Sequence, residues 1–92
     1  MNITIEFYGQ LRHLADTDSV SLDVEAGTSI PELVTALAKD RCDIFKSILF
    51  DPSGALLSSA LILMGDEPVD RSPWPTLKDG DVMTLLPPLA GG

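Results

Sequence analysis

A single cysteine, Cys42, leaves this chain of 92 residues without a partner for an intramolecular disulfide. That thiol and the single histidine, His13, do not make up a zinc ligand set, and no metal is expected. Basic residues are scarce: 6 Lys and Arg stand against 14 Asp and Glu, for a net charge of −8. Such a balance repels a nucleic-acid backbone and an anionic membrane alike; it suits a basic protein surface, or solubility alone. Long apolar runs are missing as well. The longest, Ala60 to Met64, falls far short of the ~20 residues that cross a bilayer. Met1-Asn2-Ile3-Thr4-Ile5-Glu6 has neither the basic start nor the apolar stretch of a signal peptide, so a cytoplasmic location is expected. Neither phosphate loop, G-x-x-x-x-G-K-S/T or G-x-G-x-x-G, is found, and the chain is not expected to bind ATP unaided.

What is present is a globular composition, 45% hydrophobic and 22% charged, sized for one small domain with a modest core. Ile3, Ile5 and Phe7 alternate with polar residues, as do Val20, Leu22 and Val24; both stretches read as half-buried strands. Leu11, Leu14 and Ala15, at helical spacing between them, predict a short helical turn. Ser29 and Glu32 form an S-x-x-E capping box with Pro31 in the first turn, ahead of the stripe Ile30, Leu33, Val34, Leu37 and Ala38. A helix over 30–41 follows, with Lys39 and Arg41 at the end that favours cations. Ile44 to Leu49 suggests a helical turn leading to an edge strand, Asp51-Pro52-Ser53-Gly54 a turn, and Leu56 to Met64 a strand. After the turns Gly65 to Pro68 and Lys78 to Asp81, Val82 to Leu86 is the last strand. The element order predicts an α+β domain, a mixed sheet of 4–5 strands on one main helix.

The end of the chain, Leu85-Leu86-Pro87-Pro88-Leu89-Ala90-Gly91-Gly92, has a distinct physical character. Pro87 and Pro88 lack an N–H, stop a sheet ladder and favour extended backbone. Gly91 and Gly92 pass where a methyl group clashes, and Gly92 carries the α-carboxylate. A stiff arm with a slim tip is a shape for threading that carboxylate into another protein's active site; a frayed terminus is the alternative.

Phe7-Tyr8-Gly9-Gln10-Leu11-Arg12-His13-Leu14, then Leu77-Lys78-Asp79-Gly80-Asp81-Val82, then Leu86 to Gly92, together resemble the MoaD/ThiS family of ubiquitin-like sulfur carriers. Among its branches the chain looks most like the small subunit of molybdopterin synthase. The resemblance implies a β-grasp fold over 1–86, with the first and last strands parallel at the sheet centre, and an extended, flexible tail over 87–92. It also implies a mechanism. A ubiquitin-activating-like adenylyltransferase uses ATP to adenylate the Gly92 carboxylate, and a persulfide sulfur displaces AMP to leave a thiocarboxylate. The large subunit then takes up the tail, and sulfur passes to a pterin precursor of the molybdenum cofactor. This chain is then a non-catalytic sulfur-donor subunit, whose reacting residue is Gly92 with Gly91 beside it. Leu85, Leu86, Pro87, Pro88, Leu89 and Arg12 become the implied partner-binding residues. The chain departs from relatives in having Met64-Gly65 where many have Asn-Gly, and in the segment Asp70 to Trp74 with its Pro73.

Other residues invite plainer readings. Asp43 beside Cys42 disfavours a thiolate, so a semi-buried structural thiol is expected rather than a persulfide carrier. His13 reads as a surface residue, and Asp79 and Asp81 as a turn around Gly80. Trp74 fits a core plug or an interface anchor, and Arg12 fits a docking residue or a solvated one. Three alternatives to a molybdopterin synthase subunit stand: a carrier for thiamin or tRNA thiolation, a protein modifier conjugated through Gly92, and a noncovalent β-grasp binding module.

Overall fold

Ile3, Ile5 and Phe7 are buried to 1% exposure or less, while Thr4 and Glu6 face the other way and stay half-exposed. That alternation over β1 (Asn2–Phe7) divides the molecule into a helix layer and an outer sheet face. The structure, a computed structural model, describes residues 1–39, 41–57, 59–70 and 74–87. α1 (Gln10–Ala15), β2 (Ser19–Asp23), α2 (Ile30–Ala38), α3 (Asp43–Leu49), β3 (Leu61–Met64), β4 (Glu67–Pro68) and β5 (Val82–Leu86) follow. The five strands form one mixed sheet in the order β2-β1-β5-β3-β4. β1 and β5 run parallel at its centre, from Thr4 opposite Val82 to Phe7 opposite Leu85. This is the β-grasp arrangement.

The Lys78–Asp81 turn explains how two strands so distant in sequence find their register. Gly80 N–H donates to Asn2 O at 2.8 Å, Asn2 N–H to Asp79 Oδ1 at 2.6 Å, and Thr4 N–H to Asp81 O at 3.0 Å. Asp81 Oδ2 accepts from Lys78 N–H at 2.8 Å and closes the turn on itself. Gly80 sits at φ 89°, a left-handed value that favours glycine. Asp79 and Asp81 are turn residues, as the sequence indicates.

The capping box is formed: Glu32 N–H donates to Ser29 Oγ at 3.2 Å, and Ser29 N–H donates to Glu32 Oε1 at 3.1 Å. α2 turns Ile30, Leu33, Val34, Leu37 and Ala38 into the core. It ends at Ala38 rather than at 41, because Cys42 is already in extended backbone as the N-cap of α3. The expected helical turn from Ile44 to Leu49 is α3, which buries Phe45 and Leu49, while the edge strand expected after it is reduced to the single bridge between Phe50 and Leu56. Phe45 meets Phe7 edge to face at 5.9 Å and 84°. With those residues inward, Cys42 points out; it is exposed, a correction to the semi-buried thiol expected. The predicted strand Leu56–Met64 is also shorter, since Leu56 only bridges Phe50 around the Asp51 turn and the ladder begins at Leu61. Trp74 is half-buried against the core. Among the described residues no helix is long and apolar enough to cross a membrane.

Candidate functional site

β5 delivers the end of the chain to one edge of the sheet. Tyr8 N–H donates to Leu85 O at 3.3 Å, Leu86 pairs with Leu61, and Pro87 follows with no N–H to extend the ladder. Pro87 is half-buried, its ring lying against Gly9 at the turn between β1 and α1. Gly9 has φ 59° and ψ −135°. Pro88, Leu89, Gly91 and Gly92, four of the residues singled out in the sequence, lie outside the described residues.

The two leucines before the tail part company. Leu85 is 0% exposed, because its register opposite Phe7 and Ile62 turns it into the core. The sequence resemblance puts Leu85 among the partner-binding residues; its burial is a correction, and it takes no part in a partner-facing patch. Leu86, one residue on, faces outward beside Leu61 and is half-buried. Arg12 lies on α1, where its Nε meets Asp18 Oδ1 at 3.1 Å in an exposed ion pair. Such a pair contributes little to stability, so the guanidinium can exchange Asp18 for a partner carboxylate at small cost.

Register places Tyr8, Leu61, Leu63, Val82 and Leu86 together on the outer face. Of these, Tyr8 is 48% exposed, Leu61 42% and Val82 39%. Between them lies a pocket of about 270 Å³ bordered by Glu6, Tyr8, Leu63, Asp66, Thr84 and Leu86. Thr84, buried to 6% exposure, donates its hydroxyl to Glu6 Oε1 at 3.4 Å and holds the carboxylate at the pocket wall. An apolar sheet face with acidic groups set in it has the make-up of a protein-contact surface. A larger groove of about 1110 Å³, between α2 and the segment from Lys46 to Gly54, shares no residue with the tail root. The contact of Gly9 with Pro87, and Leu61, Leu63 and Val82 beside Leu86 on the outer face, escape a reading of the sequence. The available signal is that β5 is apolar at consecutive positions, Leu85 and Leu86, which obliges one of them to face away from the helices.

The family profile of ThiS matches residues 5–92, nearly the whole chain. The chain belongs to the ThiS family. Its ubiquitin-like neighbours are sulfur carriers and modifiers. SAMP1 of Haloferax volcanii superposes with a TM-score of 0.85 at 22% identity, covering 100% of each chain. Urm1 of Trypanosoma brucei gives 0.77 at 28% identity over 99% of this chain and 95% of that one. A chain from the complex of subunits 1 and 2 of the molybdopterin-converting factor of Helicobacter pylori gives 0.63 at 25%, covering 100% of both. No curated protein sequence matches. In this ThiS-family chain, the edge where β5 gives way to Pro87 lies beside the exposed sheet face.

Proposed function

We propose that this chain is a sulfur carrier that bears sulfur as a C-terminal thiocarboxylate on Gly92, and that it serves as the small subunit of a molybdopterin synthase. The observation that carries this reading is the course of β5. It runs through the centre of the sheet and stops at Pro87, so a rigid body presents the last residues at its edge beside an apolar face. The body is 1–86 and the working tail 87–92. The reacting carbon belongs to Gly92, with Gly91 keeping its approach uncrowded. Pro87, Pro88, Leu86, Leu89 and Arg12 serve docking.

A free carboxylate resists nucleophiles, because its charge and resonance oppose attack. An ATP-dependent adenylyltransferase joins the carboxylate oxygen to the α-phosphorus and releases pyrophosphate. The terminal sulfur of a donor persulfide attacks the acyl carbon and AMP leaves; a second thiol then attacks the donor's own sulfur, forming a disulfide with it and releasing the thiocarboxylate. The catalytic groups and ATP belong to the activating partner, and the large subunit then encloses the tail away from water. The likeness to subunit 1 of a two-subunit converting factor supports a large-subunit partner. A second reading, conjugation of Gly92 to a lysine as a modifier, is favoured by the likeness to SAMP1, a small archaeal modifier protein, and to Urm1.

The deciding experiment incubates the chain with the activating enzyme, ATP and a sulfur donor, then reads intact mass. Wild type gains the difference between one sulfur and one oxygen atom. Deletion of Gly92 withdraws the carboxylate by about 3.5 Å, and a displacement of even ~1 Å costs on the order of 100-fold in rate. That variant, and one extended by a residue past Gly92, stay folded and gain no sulfur. An extended chain that still supports cofactor synthesis untrimmed sinks the carrier reading. An adduct on a target lysine, with no free thiocarboxylate, turns the assignment to the modifier.

A further inference from the structure

Five described glycines have positive φ: Gly9, Gly27, Gly54, Gly65 and Gly80. A Cβ added at four of them meets nothing within 4 Å, whereas at Gly9 it meets Pro87 Cγ at 3.4 Å and Cδ at 3.7 Å. The ring that begins the tail is therefore seated on the side of Gly9 where any other L-residue carries its side chain. The backbone at Gly9, φ 59° and ψ −135°, is a conformation that L-residues avoid and glycine takes freely. The seat is tied down on both sides. Tyr8 N–H reaches across to Leu85 O at 3.3 Å, and Gly9 O accepts from His13 N–H at 3.4 Å at the start of α1. Because the proline ring locks its own φ, a ring seated against Gly9 leaves Pro87 ψ as the remaining backbone freedom at the foot of the tail.

We propose that Gly9 is a positioning residue for the C-terminal carboxylate. By seating the Pro87 ring it sets the direction in which the following residues leave the body, and with it how readily Gly92 meets the activated nucleotide. The inference rests on the carrier reading and adds to it a residue more than eighty positions away in the chain. Gly9 touches neither substrate nor nucleotide; it acts through Pro87.

The test uses the full chain, its ATP-dependent activating enzyme, ATP and a sulfur donor, with initial rates of thiocarboxylate formation read by intact mass. Gly9→Ala is expected to lower kcat about tenfold or more, as a misplaced reacting group does, with KM for the carrier within about twofold because the docking face is untouched. Replacing Gly9 by D-alanine through chemical synthesis is the conservative control. Its favoured backbone matches the observed angles, and its methyl takes the place of the other α-hydrogen, not the one facing Pro87. It is expected to restore most of kcat. A purely structural role moves melting temperature alone and leaves kcat intact at temperatures where all variants are folded. That result overturns the proposal. Should Gly9→Ala not fold, Pro87→Ala removes the seated ring, and it too is expected to lower kcat several-fold, read at saturating carrier because Pro87 also serves docking. An unchanged kcat there is equally fatal. Wild type that takes up no sulfur defeats the carrier reading, and this inference with it. Wild type that is active alongside a fully active Gly9→Ala defeats only this inference.

Discussion

Ser29 and Glu32 give each other a backbone partner at the start of α2, and each bond has a separate consequence. Loss of the hydroxyl in Ser29→Ala is expected to cost about 1 kcal/mol in urea or thermal unfolding, with no effect on sulfur uptake by the folded protein. The carboxylate adds a pH dependence. Its bond from the Ser29 backbone N–H, then that residue's hydroxyl, hold the Glu32 carboxyl below its ordinary range. A lowered folded-state pKa means stability that is complete above the unfolded-state value and is lost as pH falls through the folded one. Asp51 behaves likewise, held down by the Ser53 hydroxyl and then the Ala55 N–H. Glu32→Gln, which mimics the protonated side chain, should therefore flatten part of the acid limb of a stability–pH curve by lowering stability at neutral pH while leaving the acid end nearly unchanged. A limb identical to wild type would place the acid sensitivity elsewhere.

At the level of elements, β5 is the member on which the others depend, because it is hydrogen-bonded to β1 on one side and β3 on the other. Met83, fully buried within it, should be costly to truncate: Met83→Ala is expected to remove about 2–5 kcal/mol in denaturant unfolding. Phe45→Ala, which removes the ring packed on Phe7, belongs to the ~3–5 kcal/mol class. Such elements were legible when the sequence carried a period or a cap. β1 and β2 alternate strictly, α2 announces its start with the capping box, and the last strand follows a glycine turn. Leu56 to Met64 carries no usable period, and where β3 begins depends on reaching the Leu86 partner, a tertiary fact. The same gap explains the site. The glycine tip and the prolines can be read directly, but whether Leu85 or Leu86 faces a partner depends on register against β1 and β3, and the two residues are chemically identical.

For the molecule as a whole, helices cover one side of the sheet and leave Leu61, Leu63, Val82 and Leu86 on the other, with Glu6 and Asp66 among them. A partner with a basic rim around an apolar centre fits that face, and the net charge of −8 should speed its arrival. Leu63→Asp is expected to weaken binding to the activating enzyme at least tenfold with the domain still folded, since a buried apolar contact becomes a desolvated charge. Association of wild type should slow as salt rises; a titration showing neither effect would remove this face from the account. The parallel pairing of Thr4 with Val82 has a further outcome, in the history of each molecule rather than its chemistry. β5, the last of the described strands, fills the middle of the sheet, so β1 and β3 have no common neighbour until Val82 to Leu86 has been made. A chain broken off before Val82 should show no cooperative unfolding and should be digested rapidly by protease. Folding thereby checks length: a chain that folds cooperatively has been translated through the strand that leads to the residues proposed to react.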